Sequence, residues 1–418
     1  MTKISKILMI VENIPAPHDR RVWPEARALR EHGYQVSIIS PKGVSDCRES
    51  YCKIDGIHIY RYALPAVGKK YIAYAIEYSV ALLMTFWLSL KVLFQHGFDV
   101  VHVANPPDIF FIIGMLYRPF GKKFIFDQHD LSPEMFQVIF NRRSKFVSAI
   151  MCFLERCSYK MADLVIVTNE SQKKCALIRG HCRPERVFVV RNSSNLGQLK
   201  AAFSESNVDS DTRQGYALGY VGVMGIQDGV NYTLYALDEL VHRRGRRDVV
   251  LVLMGDGADL PALRNLAHEL DLTGYVKFTG WLSPEEMERQ LGSVDIGLVP
   301  DPQNGLNELS TMLKTMDYMA LGKPVVAFDL AETRFSAQDA GLYATPNRVE
   351  DFANQIELLL DDKELRIRKG QIGQQRFRNE LSWEHSKKCL LSAYATLLLS
   401  RNASPRFYTS TRKVVEDD

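Results

Sequence analysis

The stretch LNELSTMLKTMDYMALGKPVV, which runs from Leu306 to Val326, joins the pattern of a helix to the pattern of a buried strand. Helical spacing places Ser310, Lys314 and Asp317 at i, i+4 and i+7, so a helix presents these polar side chains on one face. The hydroxyl of Ser310 can cap the start of that helix, and the Gly-Lys-Pro segment stops it. The apolar run that follows predicts a buried strand.

The polar face of this predicted helix favours the binding of an anion. The free N–H groups and the dipole at a helix N-terminus attract negative charge, and a diphosphate is the obvious candidate. Asp317, further along the same face, can accept hydrogen bonds from sugar hydroxyls. The alternative is an ordinary surface helix that has a polar face and binds no ligand.

The composition is that of a globular protein large enough for two domains. The chain has 418 residues, of which 46% are hydrophobic and 24% charged, with a formal net charge of +3. This charge, without basic runs interleaved with aromatic residues, gives no case for a nucleic-acid partner. The seven cysteines are scattered and lack the spacing of zinc ligands, so reduced thiols in a cytosolic protein are expected.

Short apolar runs alternate with helical patterns along both halves of the chain. The runs include KILMIV at 6–11 and QVSIIS at 35–40, and then ALGYV at 217–221 and VVLVLM at 249–254. The first run is shorter than the apolar region of a signal peptide, so we interpret it as strand one. The alternation predicts an α/β protein with two doubly wound domains that face a cleft.

The sequence DYMALGKPVV at 317–326 resembles the nucleotide-sugar segment of the retaining glycosyltransferases of family 4. That segment has a carboxylate, small and apolar residues, Gly and then Pro-Val-Val, and the resemblance extends over nearly the whole chain. The helix also resembles that of a subgroup that acts in bacterial surface-polysaccharide assembly. The matching residues are Ser310, Lys314, Asp317 and the Tyr-Met pair after them. The resemblance implies the GT-B architecture of two Rossmann-like domains. We expect an acceptor-side domain at 1–195 and a nucleotide-sugar domain at 196–380. A helix at 381–400 would return to the first domain, and a flexible tail would follow at 401–418.

The resemblance also implies a donor site in the second half. Its expected residues are Gly222, Val223, Gly280, Trp281, Glu308, Ser310, Thr311, Lys314 and Asp317. Asp317 would hold the ribose, the helix start with Lys314 would hold the diphosphate, and Trp281 either stacks on the base or fills the core. Two positions depart from the family, because Val223 and Asp228 stand where it has an Arg and a Lys that clamp the diphosphate. Lys314 is the candidate replacement, and Glu308 lies one position from the family's first carboxylate.

The first half contributes candidate residues at the ends of two predicted strands. His129 lies in DQHDLSPE, with Asp130 and Glu134 nearby, and family members carry a histidine near the donor sugar at the equivalent point. His129 is therefore, with Asp317 and Lys314, a candidate catalytic residue, and its alternative is a structural histidine bonded to a neighbouring aspartate. Arg20 and Arg21 follow the first strand and can reach a phosphate or the acceptor, or form a salt bridge at the helix start.

One segment of the first half is unusually apolar. The run YSVALLMTFWLSL at 78–90 carries no charge and is too short to span a bilayer, which takes about 20 residues. It suits either a helix in the membrane interface or a core helix packed on the sheet. Basic residues elsewhere in this half would favour anionic lipids, namely Lys69, Lys70, Lys122, Lys123, Arg142, Arg143 and Lys145.

The resemblance implies a retaining hexosyl- or N-acetylhexosaminyltransferase that uses a nucleotide-diphosphate sugar, and we expect UDP rather than GDP. No cofactor or metal is expected, because Asp301-Pro302-Gln303 is not a convincing Asp-X-Asp site. The expected acceptor is a lipid-linked or surface-glycan precursor at the cytoplasmic face of the inner membrane. The alternatives are a nucleotide-sugar 2-epimerase of the same architecture and a non-catalytic partner in glycan assembly.

Overall fold

The computed structural model describes residues 5–43, 47–65, 71–140, 145–194 and 215–399. These residues form two α/β domains, each built on a mainly parallel sheet, as the alternating apolar runs predict. The predicted boundary between 195 and 196 and the tail at 401–418 lie outside the described residues, as do Lys69, Lys70, Arg142 and Arg143.

The first domain has an eight-stranded sheet in the order β3-β4-β2-β1-β5-β6-β7-β8. Its strands are β1 (Lys6–Ile10), β2 (Gln35–Pro41), β3 (Tyr51–Ile54), β4 (Ile57–Tyr62), β5 (Val100–Ala104), β6 (Lys123–Gln128), β7 (Leu164–Val167) and β8 (Val187–Val189). Its helices are α1 (Val22–Glu31), α2 (Tyr71–Gln95), α3 (Phe111–Tyr117), α4 (Ser132–Phe140), α5 (Lys145–Met161) and α6 (Glu170–Ile178). All neighbouring strands are parallel except β3 and β4, and the strand order reverses next to β1, where ligands bind in such sheets.

The second domain has a six-stranded parallel sheet in the order β11-β10-β9-β12-β13-β14. Its strands are β9 (Tyr216–Val221), β10 (Val249–Met254), β11 (Val276–Gly280), β12 (Ile296–Val299), β13 (Val325–Phe328) and β14 (Gly341–Ala344). Its helices are α7 (Asn231–Asp238), α8 (Leu260–Glu269), α9 (Pro284–Gly292), α10 (Leu313–Ala320), α11 (Ala331–Ala337), α12 (Val349–Asp361) and α13 (Lys363–Arg376).

The last described helix, α14 (Trp383–Leu399), packs on the first domain. Leu390, Ala393, Tyr394 and Leu397 are buried in the core that α1 and the first sheet form. The hydroxyl of Tyr394 lies 2.7 Å from Nδ1 of His102, in the middle of β5. The chain therefore crosses from the second domain back to the first before it ends.

Helix α10 begins two residues later than the sequence pattern predicts, so Ser310 does not cap it. Ser310 follows a 3-10 turn at Asn307–Leu309, and its hydroxyl donates to the carbonyl of Leu306 at 2.8 Å. The side chain of Asn304 caps that turn instead, since its Oδ1 accepts from the backbone of Leu306 and Asn307. Residues 314–320 of α10 are all buried, so the ordinary surface helix is wrong as well.

Helix α2 is longer than the uncharged run that predicts it. It has 25 residues, because it extends past Glu77 and Lys91 at the two ends of that run. The segment Ala73–Gln95 is long and apolar enough to cross a membrane by length and composition, which for a single helix is weak evidence. The prediction that this segment is too short to span a bilayer is therefore wrong. Only 22% of the most apolar 18-residue stretch of α2 is buried, so α2 is not an ordinary core helix either.

Candidate active site

The two domains meet where the carboxyl ends of their strands face each other. Asn169, which follows β7, donates to the carbonyl of Leu309 at 2.9 Å and to Oγ1 of Thr311 at 3.1 Å. The backbone N–H of Ser171 donates to Oε1 of Glu332 at 3.2 Å. The segment before α10 and the start of α11 thus contact the start of α6 across the cleft.

Arg20 crosses the cleft and contacts Asp317 on α10. The distance from its Nη2 to Oδ1 of Asp317 is 3.0 Å, and its side chain is 41% exposed whereas that of Asp317 is 1% exposed. Arg20 thus pairs with the other domain, while the salt bridge expected at the start of α1 is made by Arg21, whose Nε lies 3.5 Å from Oε1 of Glu25. Both carboxylate oxygens of Asp317 accept from the guanidinium of Arg20.

Arg21 is a buried structural residue, so the prediction that it reaches a phosphate or the acceptor is wrong. Its side chain is 6% exposed and its Nη2 lies 2.6 Å from Oδ1 of Asp127. Its Nη1 also donates to the carbonyl of Val190 at 2.7 Å and to Oδ1 of Asn192 at 2.8 Å. With these donors occupied, the guanidinium ties the start of α1 to β6 and to the segment after β8.

His129 lies just past β6 and bonds to the same aspartate. Its Nε2 is 2.8 Å from Oδ2 of Asp127, and its ring is 14% exposed. The backbone N–H of His129 donates to Oδ1 of Asn105 at 2.6 Å, which fixes the loop. The bond to an aspartate matches the structural alternative, but it leaves Nδ1 as the ring nitrogen that can bond to a ligand.

Asp127 stays ionised at the centre of this network. Burial opposes its ionisation, but Arg21 and His129 outweigh that cost and hold the pKa of Asp127 well below its usual range. Burial and the charge of Asp127 raise the pKa of Glu25 well above its usual range. Glu25, His102 and Asp127 lie close enough to hold a metal ion, but Arg21 already supplies their cation at 3.5 Å from Glu25. The geometry therefore describes a buried ion-pair network.

Asp130 and Glu134 follow His129 closely in the sequence, but their carboxylates differ in whether a protein cation already binds them. Asp130 is half-buried, and burial raises the pKa of its carboxyl. Glu134 lies 2.6 Å from Nη1 of Arg179, which also contacts the buried Glu155 at 2.6 Å. Glu134 is thus engaged in holding α4 against α6 and α5, and its expected contact with an acceptor is not supported.

In the second domain, two glycine loops approach each other closely after β9 and β10. Gly222 and Gly255 have φ of +147° and +135°, and a Cβ on Gly255 would lie 1.9 Å from the carbonyl oxygen of Gly222. The N–H of Met224 also donates to the carbonyl of Asp256 at 2.9 Å. Only glycine permits this approach. Val223, which follows Gly222, is 54% exposed and supplies no cation.

Lys314 lies beside the Gly222 loop, but its charge is already paired. Its Nζ lies 2.7 and 2.8 Å from the two carboxylate oxygens of the buried Asp301, and 5.2 Å from the ring centroid of Tyr220. A Cβ on Gly222 would be 3.6 Å from Cε of Lys314. Lys314 therefore lies close enough to the loop to stand where the missing cations are expected. Its positive charge, however, is largely neutralised by the carboxylate of Asp301.

The other predicted donor residues lie in three places. Thr311 accepts from Asn169 across the cleft. Glu308 accepts from Nε2 of Gln303 at 2.6 Å and from the N–H of Ala331 at 3.4 Å, so it joins the loop to α11. Gly280, with φ of +71°, ends β11, and Trp281 after it is 78% exposed. The alternative that Trp281 fills the core is wrong.

Sequence reasoning missed three cleft residues, Asn169, Arg191 and Glu332. Arg191 lies 3.7 Å from the buried Glu332 and stacks 4.3 Å from the ring centroid of Phe335. Burial lowers the pKa of Arg191. Each of the three follows a strand closely, β7, β8 and β13 in turn. The rule that ligands lie at the carboxyl ends of parallel strands would have found them.

Comparison with known families places two glycosyltransferase domains on this chain. The family model described as "Glycosyl transferase 4-like domain" matches residues 19–193. The model described as "Glycosyl transferases group 1" matches residues 215–362. The two matches coincide with the two structural domains. This chain has the GT-B fold, and each of its two domains matches a glycosyltransferase family model.

Solved structures share this GT-B fold over nearly the whole chain. Sucrose-phosphate synthase from Thermosynechococcus elongatus superposes with a TM-score of 0.75 at 18% identity, covering 95% of this chain and 100% of that one. HepE from Anabaena in complex with UDP-glucose superposes with a TM-score of 0.65 at 13% identity, covering 94% and 99%. At these identities the likeness shows the fold alone.

Sequence relatives are glycosyltransferases as well. The alpha-D-kanosaminyltransferase of Streptomyces kanamyceticus is 31% identical over 222 residues, which are 51% of this GT-B chain and 55% of the relative. The chain thus spans about half the length of the curated relatives it matches. The matched families and relatives do not support the 2-epimerase alternative.

Proposed function

We propose that this protein transfers a sugar from a nucleotide-diphosphate donor to an acceptor hydroxyl. One observation carries the proposal: the adjacent residues Arg20 and Arg21 bond to Asp317 in one domain and to Asp127 in the other. Asp127 in turn holds His129. The predicted nucleotide residue and the predicted sugar residue therefore belong to one cleft.

The donor would lie along the second domain. The diphosphate would contact the amides of the Gly222 loop and of Ser310 and Thr311, with Lys314 as the nearest predicted cation. Asp317 would accept from the ribose hydroxyls after Arg20 moves aside, and the exposed Trp281 would stack on the base. HepE, whose complex contains UDP-glucose, has the same fold, which favours UDP over GDP as the donor nucleotide.

The transfer would retain the anomeric configuration and move a hexosyl or N-acetylhexosaminyl group. The departing diphosphate takes the bonding electrons, and one of its oxygens helps to accept the proton of the acceptor hydroxyl. His129 would donate a hydrogen bond to the sugar or to the charge that develops on the leaving group. The protein thereby contributes positioning and charge stabilisation, without a strong base.

The acceptor would be a lipid-linked or surface-glycan precursor at the cytoplasmic face of the inner membrane, where the outward apolar side of α2 can contact lipid. The second candidate is a non-catalytic partner in glycan assembly. The observation that favours it is the replacement of two expected cations by Val223 and Asp228. The N–H of Gly225 donates to Asp228 at 3.0 Å, so this carboxylate has a structural role in the loop.

Calorimetric titration with UDP, GDP and ADP separates the two candidates. We expect UDP to bind, and we expect Asp317→Ala to raise the donor KM at least tenfold while kcat changes less, because ribose contacts act mainly on binding. Asp361→Ala is the matched control, since Asp361 is 61% exposed and pairs with Arg246 on the surface. If no nucleoside diphosphate binds the unaltered protein, the non-catalytic role is correct.

A further inference from the structure

Helix α2 buries three small side chains in its middle and leaves several large apolar ones exposed. Ala81, Thr85 and Ser89 are fully buried at four-residue spacing, whereas Leu83 is 60% and Trp87 65% exposed. A surface helix of a soluble protein has the opposite distribution. The outer side of α2 is therefore suited to an apolar environment.

The helices beside α2 continue this apolar surface. On α5, Phe146 is 75% and Phe153 63% exposed, and Phe120, which follows α3, is 75% exposed. Side chains from α2, α3 and α5 pack into one core cluster, so the three helices cover the same side of the first sheet. Contiguous exposed apolar surface of this kind marks an interaction site.

The charges on this helical layer are complementary to anionic lipid. The two carboxylates on α2 and α5, Glu77 and Glu155, are half-buried and buried. The exposed charged residues described on α2, on α5 and directly after α3 are Lys91, Arg118, Lys145, Arg156 and Lys160. Basic side chains beside apolar ones attract a surface of anionic headgroups.

A cavity of about 410 Å³ opens between α2, α4 and α5 in this layer. Its walls are mainly apolar and include Tyr74, Phe136, Ile150 and Met151, with Ser79 on the α2 side. Tyr74 and Ile150 are also 38% and 42% exposed, so the cavity continues into the apolar outer surface. Its volume is in the range of small-molecule sites in proteins.

The inner end of the cavity adjoins the loop that holds His129. Asp108 and Ser132 line it there, and Nδ2 of Asn105 donates to Oδ1 of Asp108 at 2.8 Å. Oδ1 of the same Asn105 accepts from the backbone N–H of His129 at 2.6 Å. One asparagine therefore separates the polar end of the cavity from the candidate sugar site.

We propose that this cavity, the alkyl groove, holds the hydrocarbon chain of a lipid-linked acceptor. The chain would enter from the apolar outer surface, and the polar end of the acceptor would lie at the Asn105–Asp108 segment beside His129. The proposal rests on the proposed transferase function and assigns its acceptor-chain site. A peptide or a free sugar fits poorly, because its polar groups would lose their hydrogen bonds to water against apolar walls.

The groove can be tested on the full chain with a fluorescent fatty acid, 11-(dansylamino)undecanoic acid, displaced by n-alkyl phosphates of increasing length. Affinity should rise by up to about fourfold for each added CH₂ until the groove is full. Ser79→Trp places a large ring in the groove from the exposed side of α2 and should lower the affinity for the probe at least tenfold. Leu83→Trp, one turn further along on the outer side, is the matched control and should change the affinity less than twofold.

The two proposals fail separately. Equal affinity of the probe for Ser79→Trp and for the unaltered chain, with both variants folded by circular dichroism, would overturn the groove. UDP binding measured on the same samples would then still support the transferase. Probe binding that depends on Ser79 and on chain length supports the groove. If none of UDP, GDP and ADP binds those samples, the transferase function is overturned, and with it the assignment of the chain to an acceptor.

Discussion

The two walls of the cleft hold their charges in different ways. The N-terminal wall, formed by Arg21, Asp127 and His129, is a network in which one arginine donates to three residues, on β6 and on the segment after β8. The C-terminal wall, formed by Asp301, Lys314 and the Gly222 loop, has one lysine paired with one aspartate. Arg21 thus holds several parts of the first domain together, whereas Lys314 bonds to the two oxygens of a single carboxylate and lies beside the Gly222 loop.

From this difference we predict which side of the cleft can respond to a ligand. On the N-terminal wall a change in one member leaves buried partners unpaired, so its effects should appear as lost stability. On the C-terminal wall a change in the pair should appear as altered nucleotide affinity. The following predictions test that division, beginning with the largest effect.

Asp127→Ala should destabilise the protein by about 3–5 kcal/mol, because it leaves the buried guanidinium of Arg21 without its main carboxylate. The measurement is urea unfolding followed by circular dichroism. Asp248→Ala is the control, since it breaks an ion pair with Arg246 in which Asp248 is 45% exposed, and about 1 kcal/mol or less is expected. Equal losses in the two variants would contradict the structural role of the N-terminal wall.

The second prediction concerns Glu12, a buried acid directly after β1. Burial and the neighbouring Glu77 raise the pKa of Glu12 from 4.5 to about 8. Between these values the folded protein binds more protons than the unfolded chain, so stability is full below pH 4.5 and falls as the pH rises towards 8. Glu12→Gln should remove this fall, which is on the order of 5 kcal/mol at about 1.4 kcal/mol per unit of pKa.

Thermal unfolding at pH 5 and pH 8 measures this effect. The variant and the unaltered protein should have similar stability at pH 5, and the variant should be the more stable at pH 8. Glu31→Gln is the control, because Glu31 is 55% exposed and its pKa is lowered by the bond to Lys387. A Glu12→Gln protein that loses stability equally at both pH values would show that Glu12 is ionised in the folded state.

The regular part of the fold could be predicted from the sequence, while the pairing of side chains could not. Runs such as VVLVLM at 249–254 are apolar on both faces, which identifies buried parallel strands without knowledge of their neighbours. Arg20 and Arg21, in contrast, are adjacent and chemically identical, yet one crosses the cleft and the other is buried. Their difference depends on partners 297 and 106 residues away.

Ser310 and α2 show the same limit at shorter range. Ser310 has the chemistry of a helix cap, but Asn304 caps a competing turn first and delays α10. The run at 78–90 shows that α2 is apolar, but periodicity alone does not tell which side faces the protein. That required knowledge of which residues the sheet buries, here the small ones.

The smallest predicted effect distinguishes a lysine that binds the donor from one that only neutralises Asp301. Lys314→Met alone leaves Asp301 buried and unpaired, so its effect on nucleotide binding mixes both roles. The double variant Lys314→Met with Asp301→Asn removes both charges at once. We expect its UDP affinity, measured by calorimetry, to remain about tenfold below that of the unaltered protein, because the contact with the diphosphate is still missing.

Asp301→Asn alone is the matched control for this pair. It frees the ammonium of Lys314 from its carboxylate, and since the nearby Gly222 loop is the expected diphosphate site, UDP affinity should be unchanged or higher. A double variant that binds UDP as tightly as the unaltered protein would remove Lys314 from the donor site. The C-terminal wall would then resemble the N-terminal one, with a buried ion pair that serves only the fold.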